Sequence, residues 1–499
     1  MTEAGCRAER QPNAGNRAAR KDPQLRRHRR LTVAVVALLC AFTIGAGATV
    51  ARLLPARIAL WQPDRVTAEP LAAPGRVLSV ASGAPAAGPG ITMAGLSRAL
   101  APAVSLPAFG SNLGVLVTDL NTGRVLYSRN ASAGFTPAST TKLATATAAL
   151  QVLGPDARFR TTVVAGASPN AIVLVGGGDP TLAAGHPPAR DYPQPATLAD
   201  LAQQTARALR ERGRHTVHLG YDTSLYSGPG LARGWPASYV TSGNVSVITP
   251  LEVDQGRLTA AGQPQDVDDP GNYRARSADP AAQAAASFAG FLRADGIRVS
   301  GLPAQVTAPA GAAVLASVSS PPLAQIVQWM LEESNNVIAE NLARHIALAA
   351  GAPASFTGAA AAEQSVLRQL GVTGIELNDG SGLSPDDRIT PAALVHLISL
   401  DARDARLRPV LTGLPVYGFS GTLANVPGNV FYGGPGPGLG VVRAKTGNLT
   451  TVGALAGVVY AKDGQLLAFA VMADKFTSLA AAGPALTGLA NVLAGCGCR

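Results

Sequence analysis

A serine and a lysine stand three residues apart at the head of an apolar helical run, and that pairing constrains the fold more than any other stretch. In Pro137-Ala138-Ser139-Thr140-Thr141-Lys142-Leu143, Ser139 opens the run and Lys142 follows one turn later on the same face. Leu143, Ala146, Leu150 and Leu153 recur at helical spacing, and Gly154 is a stop signal. A weak nucleophile therefore has an amine beside it as a base. The partial positive charge at a helix N-terminus disfavours a protonated Lys142 and favours negative charge developing near Ser139. By itself a Ser-x-x-Lys also reads as a surface pair on a helix, so its partners elsewhere in the chain decide.

Lysine is scarce. Of 41 basic residues only five are lysine (Lys21, Lys142, Lys445, Lys462 and Lys475), leaving 36 arginines, so each lysine in the folded part stands out. A chain of 499 residues suggests about two to four domains, and 47% apolar against 14% charged residues is a globular composition.

Residues 1–30 hold nine basic residues and three acids, so they carry +6 of the net +10 and leave the remainder only mildly basic. No dense basic patch interleaved with aromatics follows, which argues against a nucleic-acid partner. Leu31 to Ala51 carries no charge over 21 residues and Arg52 closes it, long enough to span a bilayer as a helix. Positive charge ahead of the span places the N-terminus in the cytoplasm and everything after it outside. We read 31–52 as a single-pass anchor in the cell membrane, with a cleaved signal peptide as the rival reading. Residues 53–92, rich in Ala, Pro and Gly, read as a flexible linker.

Cysteine usage gives no disulfide framework and no paired zinc motif: Cys6 lies ahead of the span, Cys40 within it, and Cys496 and Cys498 in a short tail that reads as loose. His215 and His218 fall three apart in an expected strand, on opposite faces, with no acidic or cysteine cluster beside them, so no metal site is expected. Gly176-Gly177-Gly178-Asp179-Pro180 reads as a turn, since no Gly-Lys-Ser/Thr follows.

A hairpin is expected from Leu113–Val117 and Arg124–Tyr127. From about 160 to 311 the texture changes to short β-like runs (Thr161–Val164, Ala171–Val175, His215–Leu219, Val245–Ile248), interrupted by helices near Leu198–Arg212 and Ala281–Ala294. Helical texture returns near Leu323. There Ser334-Asn335-Asn336 lies between two helical segments, where a turn can project Ser334 and Asn336 into a cleft, although the same residues also suit a helix cap. Thr390-Pro391 is an N-cap followed by a first helical proline. Val442-Arg443-Ala444-Lys445-Thr446-Gly447-Asn448 precedes two clear strands, Val452–Tyr460 and Leu466–Met472, so Lys445-Thr446-Gly447 lies on a strand, where a glycine admits a ligand close to the backbone. Ser478 to Ala494 reads as a terminal helix packed on that sheet.

Ser-x-x-Lys, Ser-x-Asn and Lys-Thr-Gly, in this order and these contexts, resemble the signature of the acyl-serine penicillin-recognising enzymes. Ser334-Asn335-Asn336-Val337-Ile338-Ala339-Glu340, Asp379-Gly380-Ser381-Gly382-Leu383-Ser384 and Ser420-Gly421-Thr422-Leu423 look like those of the low-molecular-mass class C penicillin-binding proteins, which are D-alanyl-D-alanine carboxypeptidase/endopeptidases. The resemblance covers about 93 to 495 and is weak within the insertion. It departs from the family after Gly-Thr-Leu, where Ala424 and Asn425 stand in place of an arginine. The insertion is also short for the family's two nested domains, which implies that one is reduced.

The resemblance implies an α/β (α+β) fold: a transpeptidase-like domain of antiparallel sheet, flanking helices and an all-α subdomain, built from 93–160 and 312–495, with a β-rich domain inserted at 161–311. It implies acyl transfer on a peptidoglycan stem peptide. Ser139 would be the nucleophile, Lys142 its base, Ser334 the proton relay, Asn336 the residue holding the peptide amide, and Lys445 a group that tunes Ser334 and helps lower the Lys142 pKa. Thr446, with Gly447 and Asn448, would bind substrate, the oxyanion lying between the backbone N–H groups of Ser139 and Asn448. No cofactor is called for, and β-lactams would acylate Ser139 as substrate mimics. A β-lactamase and a transpeptidase share the three motifs, whereas a catalytically degenerate wall-binding protein would keep the fold and lose the chemistry, against which all the motif residues stand intact. The β-lactamase also needs a deacylation device, and no convincing Glu-x-x-x-Asn loop is found.

Overall fold

The computed structural model of the protein describes residues 90–189, 192–258 and 274–499. The basic lead, the uncharged run at 31–51 and most of the expected linker lie outside these residues. Among the described residues no helix is long and apolar enough to cross a membrane.

Helix α1 (Met93–Val104) leads into the hairpin β1 (Asn112–Asp119) and β2 (Val125–Arg129), followed by α2 (Thr141–Leu153). The middle of the chain forms β3 (Arg160–Ala165), β4 (Ala171–Val175), α3 (Leu198–Arg210), β5 (Thr216–Asp222), α4 (Pro280–Ala294), β6 (Arg298–Val299), β7 (Ala304–Gln305) and β8 (Val314–Ser319). Then come α5 (Leu323–Glu332), α6 (Asn336–Ala349), α7 (Phe356–Gln369), β9 (Ile375–Glu376), β10 (Arg388–Ile389) and α8 (Pro391–Arg403). Strands β11 (Val442–Leu449), β12 (Val452–Tyr460) and β13 (Leu466–Asp474) precede the last helix, α9 (Leu479–Ala494).

The first sheet is antiparallel, in the order β11-β12-β13-β1-β2. Its centre is closed by β1 pairing with β13, from Asn112 opposite Asp474 to Asp119 opposite Leu467, so the N-terminal hairpin and the C-terminal meander form one surface. Both faces are covered. Along β13, Leu467, Phe469, Val471 and Ala473 pack toward α1 and α9 with Leu96, Leu100, Leu486 and Leu489. The alternate residues Leu466, Ala468, Ala470 and Met472 pack toward the helices on the other side with Leu143, Ile326, Leu342 and Leu394. A strand buried on both faces loses its polar alternation and reads as a continuous apolar run, as β12 and β13 do.

Helix α2 lies in the middle of this helical layer. Thr141 to Leu150 are all buried, so the helix has no solvated face, and its many Ala and Thr side chains let neighbouring elements approach closely. Ser139 sits in a 3₁₀ turn, Ala138–Thr140, which feeds the α-helix rather than forming its first residue. Thr390 caps α8 through a hydrogen bond from the Ala393 N–H, with Pro391 at the first helical position.

The middle residues build a second sheet, β6-β5-β4-β3-β8, with β7 paired to β5. Strand β3 pairs antiparallel with β4 and β8, whereas β5 pairs parallel with β4, β6 and β7. A parallel pair needs a long crossover, supplied by α3 between β4 and β5. Leu201, Ala202 and Leu209 of α3 and Ala285, Phe288 and Leu292 of α4 form its core with Ile172, Leu174 and Val217.

Three local expectations are corrected. Val245–Ile248 forms no strand. Its apolar side chains serve a different purpose, because Val245 and Ile248 pack with Val337, Phe356 and Leu383 in a cluster shared with the helical layer. The C-terminal tail is packed rather than loose: Cys496 is buried and disulfide-bonded to Cys498, whose carbonyl accepts a hydrogen bond from the Thr92 N–H. The ordered fold also begins before residue 93, since Ile91 is fully buried and Thr92 caps α1.

Phe288 is wholly buried between α3, α4 and the second sheet. Phe288→Ala should lower the stability of this part by about 3–5 kcal/mol through lost burial and a residual cavity, read as an earlier transition in chemical denaturation.

Candidate active site

Lys142 is the second residue of α2 and is completely buried. Its Nζ donates to Ser139 Oγ at 2.9 Å, to Asn336 Oδ1 at 2.7 Å and to the Ser381 carbonyl at 2.8 Å. Three acceptors from three parts of the chain thus meet one amine. Burial lowers its pKa to about 7, against the opposing charges of Asp379 and then Glu340. A group poised there holds a useful fraction of neutral amine at neutral pH.

The turn that presents Ser139 is shaped by its neighbours. Ala138 has φ 47°, a left-handed conformation that a non-glycine residue rarely adopts. Thr140 bonds back to the Pro137 carbonyl at 2.7 Å. Strand β11 presses on this turn at Gly447, where a Cβ would lie 2.7 Å from the Pro137 carbonyl oxygen and 3.2 Å from Ser139 N. Gly382, with φ 82°, packs so tightly that a Cβ would meet the Ala138 carbonyl oxygen at 1.9 Å.

Ser334 and Asn336 occupy the connection between α5 and α6. Ser334 also has positive φ, 56°, held by a two-helix corner in which Asn335 caps α6 through the Ile338 N–H. Such a residue costs about 1–3 kcal/mol of local strain and persists only where its surroundings impose it. The conformation brings Ser334 Oγ within 2.8 Å of Lys445 Nζ. Asn336 spends both ends of its amide: Oδ1 accepts from Lys142, while Nδ2 donates to the Asn244 carbonyl of the middle segment at 2.8 Å.

Lys445 is likewise fully buried on β11 and also donates to the Thr446 carbonyl at 2.9 Å. Burial, and then the charge of Lys142, hold its pKa well below the usual lysine range. Burial is the largest cause lowering both amines, and the two lie close enough for their charges to oppose one another. Thr446 Oγ1 bonds Thr422 Oγ1 at 2.6 Å, tying the strand to the Ser420-Gly421-Thr422 loop. Ser139, Ser334, Asn336, Thr446 and Asn448 open onto one cleft of about 460 Å³, which Tyr239 and Arg276 of the middle segment also line. The eight site residues read from sequence are therefore in one place, with Gly447 as the contact between strand and serine turn.

A nucleophile, a buried amine and a second serine–lysine pair around one cleft match a known group of enzymes. The family model for the D-Ala-D-Ala carboxypeptidase 3 (S13) family matches residues 96–275 and 264–493. The chain belongs to the S13 family. Carboxypeptidase DacB of Mycolicibacterium smegmatis is 37% identical over 479 residues, covering 94% of this chain and 95% of that protein. The D-alanyl-D-alanine carboxypeptidase of an Actinomadura species is 30% identical over 438 residues, covering 73% and 78%. The crystal structure of penicillin-binding protein 4 from Haemophilus influenzae superimposes with TM-score 0.63 at 24% identity, covering 80% of this chain and 99% of that one, which establishes the shared fold.

Several further residues support this S13 site, one of them the last residue of the Ser334–Glu340 motif. Glu340 follows Asn336 by one helical turn and accepts from the N–H groups of Gly380 (3.1 Å) and Ser381 (2.8 Å). It therefore steadies the loop whose Ser381 carbonyl holds Lys142. Its one-turn spacing from Asn336 was a usable signal. Asn244 and Trp235 reach the site from the middle segment, and nothing in their local sequence pattern marks them.

Gly447→Ala should push the β11 edge off the serine turn and lower the rate of Ser139 acylation by at least about tenfold, with a smaller effect on melting temperature, because the close approaches it disturbs are all to the Pro137–Thr140 turn. Acylation should also follow the ionisation of Lys142. Its protonated form has no lone pair to accept the Ser139 proton, so the rate should level off above about pH 7 and fall about tenfold per unit below it.

Proposed function

We propose that the chain is a serine-type D-alanyl-D-alanine carboxypeptidase/endopeptidase that works on peptidoglycan stem peptides from the outer side of a membrane. The observation that carries the reading is the hydrogen-bonded pair of dyads at the cleft: Ser139 with Lys142, and Ser334 with Lys445.

In the reaction, Ser139 Oγ bonds to the carbonyl carbon between the two terminal D-alanines as its proton passes to neutral Lys142. The backbone N–H groups of Ser139 and Asn448 face the oxyanion that forms. As the C–N bond breaks, the departing D-alanine amine takes a proton through Ser334, which Lys445 orients. Water then attacks the ester carbonyl while Lys142 accepts its proton; the C–Oγ bond breaks, Lys142 returns the proton to Ser139 Oγ, and the shortened peptide leaves as a carboxylate. Asn336 holds the substrate amide while keeping Lys142 in place. Thr446 and Lys445 lie where the terminal carboxylate would sit, and an incoming anion there would restore charge to the depressed Lys445 amine. Scission of a cross-linked dimer uses the same steps with a longer leaving group. β-Lactams, which present an amide to the same serine, act as covalent inhibitors.

The uncharged run at 31–51, with basic residues before it, supports a single-pass anchor, and the Ala/Pro/Gly-rich stretch after it supports a flexible tether from membrane to enzyme. Deleting residues 31–51 should move the protein from the membrane fraction to the soluble fraction.

Ser139→Ala should abolish covalent labelling by a fluorescent penicillin and stop release of D-alanine from a pentapeptide, while leaving the melting temperature within about 2 °C. Residual labelling of the variant would overturn the nucleophile assignment. Mass spectrometry of muropeptides then separates the two peptidase activities, by loss of one alanine or by loss of cross-links. Rapid turnover of the penicillin adduct would instead identify a β-lactamase.

A further inference from the structure

The loop that holds Lys142 is itself held from the middle segment. Loop 379–384 carries the Ser381 carbonyl that accepts from Lys142, and it curls around the Asp379 carboxylate. Asp379 Oδ1 accepts from the N–H groups of Ser381 (3.1 Å) and Gly382 (2.6 Å), and Oδ2 accepts from the N–H of Ser384 (2.6 Å). A fourth donor comes from outside the loop: Trp235 Nε1 donates to Asp379 Oδ2 at 2.8 Å. Trp235 lies between β5 and α4, about 140 residues away in sequence. Its ring stands edge-on to Phe356 of α7, with centroids 5.2 Å apart, against the apolar cluster of Val245, Ile248, Val337 and Leu383. Asp379 is only 2% exposed, so this bond is shielded from water and is of the strong, charge-assisted kind.

We propose that Trp235 is a positioning residue for Lys142: through Asp379 it fixes loop 379–384 so that both the Ser381 carbonyl and the Asp379 charge meet the amine in working geometry. The path runs from Trp235 to Asp379, from Asp379 to Ser381, and from Ser381 to Lys142. An indole makes a suitable strut, being rigid, with one directed donor and a large apolar body that anchors it in the cluster. The proposal rests on the reading of Lys142 as the base.

The charged surroundings define what the strut controls. Lys142 faces Asp379 from the loop, Glu340 from α6 and Lys445 from β11. Asp379 in turn faces Glu340, Glu363 of α7, Asp387 after the loop and Tyr239 beside the cleft. Burial pushes Glu363 and Asp387 well above the usual carboxylate range, and Glu340 up to about 7. Asp379 opposes the effect of burial on Lys142 more strongly than Glu340 does. If its carboxylate is no longer clamped, Lys142 gives up its proton more easily and its contact with the Ser381 carbonyl loosens.

The test is Trp235→Phe in the full chain, which keeps an aromatic body and removes only the donor. The rate of acylation by a fluorescent penicillin is measured from about pH 5 to about pH 9, on active sites counted by covalent labelling. The expected result is a plateau lowered about tenfold and an acid limb moved to lower pH by about half a unit. Asp379→Asn should move the limb the same way, and Trp235→Phe added to Asp379→Asn should slow the enzyme no further. An unchanged rate and limb in Trp235→Phe overturns the proposal. So does a lower rate with an unmoved limb, which would mark a packing role alone. Should Trp235→Phe fail to fold, Asp379→Asn decides, and an unmoved limb there overturns the proposal as well. A wild-type profile with no acid limb near pH 7 would instead overturn the reading of Lys142 as base, a result separate from all of these.

Discussion

A fully buried lysine amine is the interaction on which the rest depends. Taking an ammonium out of water is costly unless it is paired and hydrogen-bonded, and otherwise the group gives up its proton. Lys142 sits between these limits. Asn336 Oδ1, the Ser381 carbonyl and Ser139 Oγ satisfy its three donor directions, and Asp379 and Glu340 oppose the drop in pKa that burial alone would impose. The result, about 7, lets the same amine accept a proton and pass it on near neutrality. Those acceptors must come from the turn before α2, from α6 and from loop 379–384 at once, so the helical layer cannot shift without moving them off the amine.

The second lysine follows from the same constraint. Two amines this deeply buried cannot both carry charge cheaply, and burial holds both below the usual lysine range. Lys445 has only Ser334 Oγ and the Thr446 carbonyl as acceptors, with no carboxylate among the charges that act on it. The two dyads are therefore unequal. One is tuned by buried acids to exchange protons, and the other has a weakly supported charge that an anionic ligand can complete. The strained φ at Ala138 and Ser334 places a serine in each dyad at a backbone position that ordinary helix geometry would not provide.

Much of this was legible in the chain. Ser139, Lys142, Ser334, Asn336, Lys445 and Thr446 stand out because their chemistry needs particular side chains at short spacings, and the elements carrying them have strong periodicity. The alternation hidden in β12 and β13 was not legible, since burial on both faces erases it. Val245–Ile248 read as a strand because four apolar β-formers in a row look alike whether they pair with a strand or plug an interface. The acids around Lys142 were also beyond the sequence, because Asp379 and Glu340 come within reach of its amine only in the fold.

The middle segment is where local reading was weakest and where the structure adds most. Its own core, around Phe288, is separate from the sheet and helices that carry the dyads. Yet its connection between β5 and α4 touches the site at three points. The Asn244 carbonyl accepts from the Asn336 amide, Gln255 Oε1 accepts from Asn335 Nδ2 at 3.0 Å, and Trp235 Nε1 donates to Asp379. The first fixes which end of the Asn336 side chain faces Lys142, because an amide whose N–H is committed to a carbonyl must turn its oxygen the other way. The second steadies the cap residue between Ser334 and Asn336. These contacts tie the middle segment to the cleft around which both serine–lysine pairs lie, so its placement and theirs are linked.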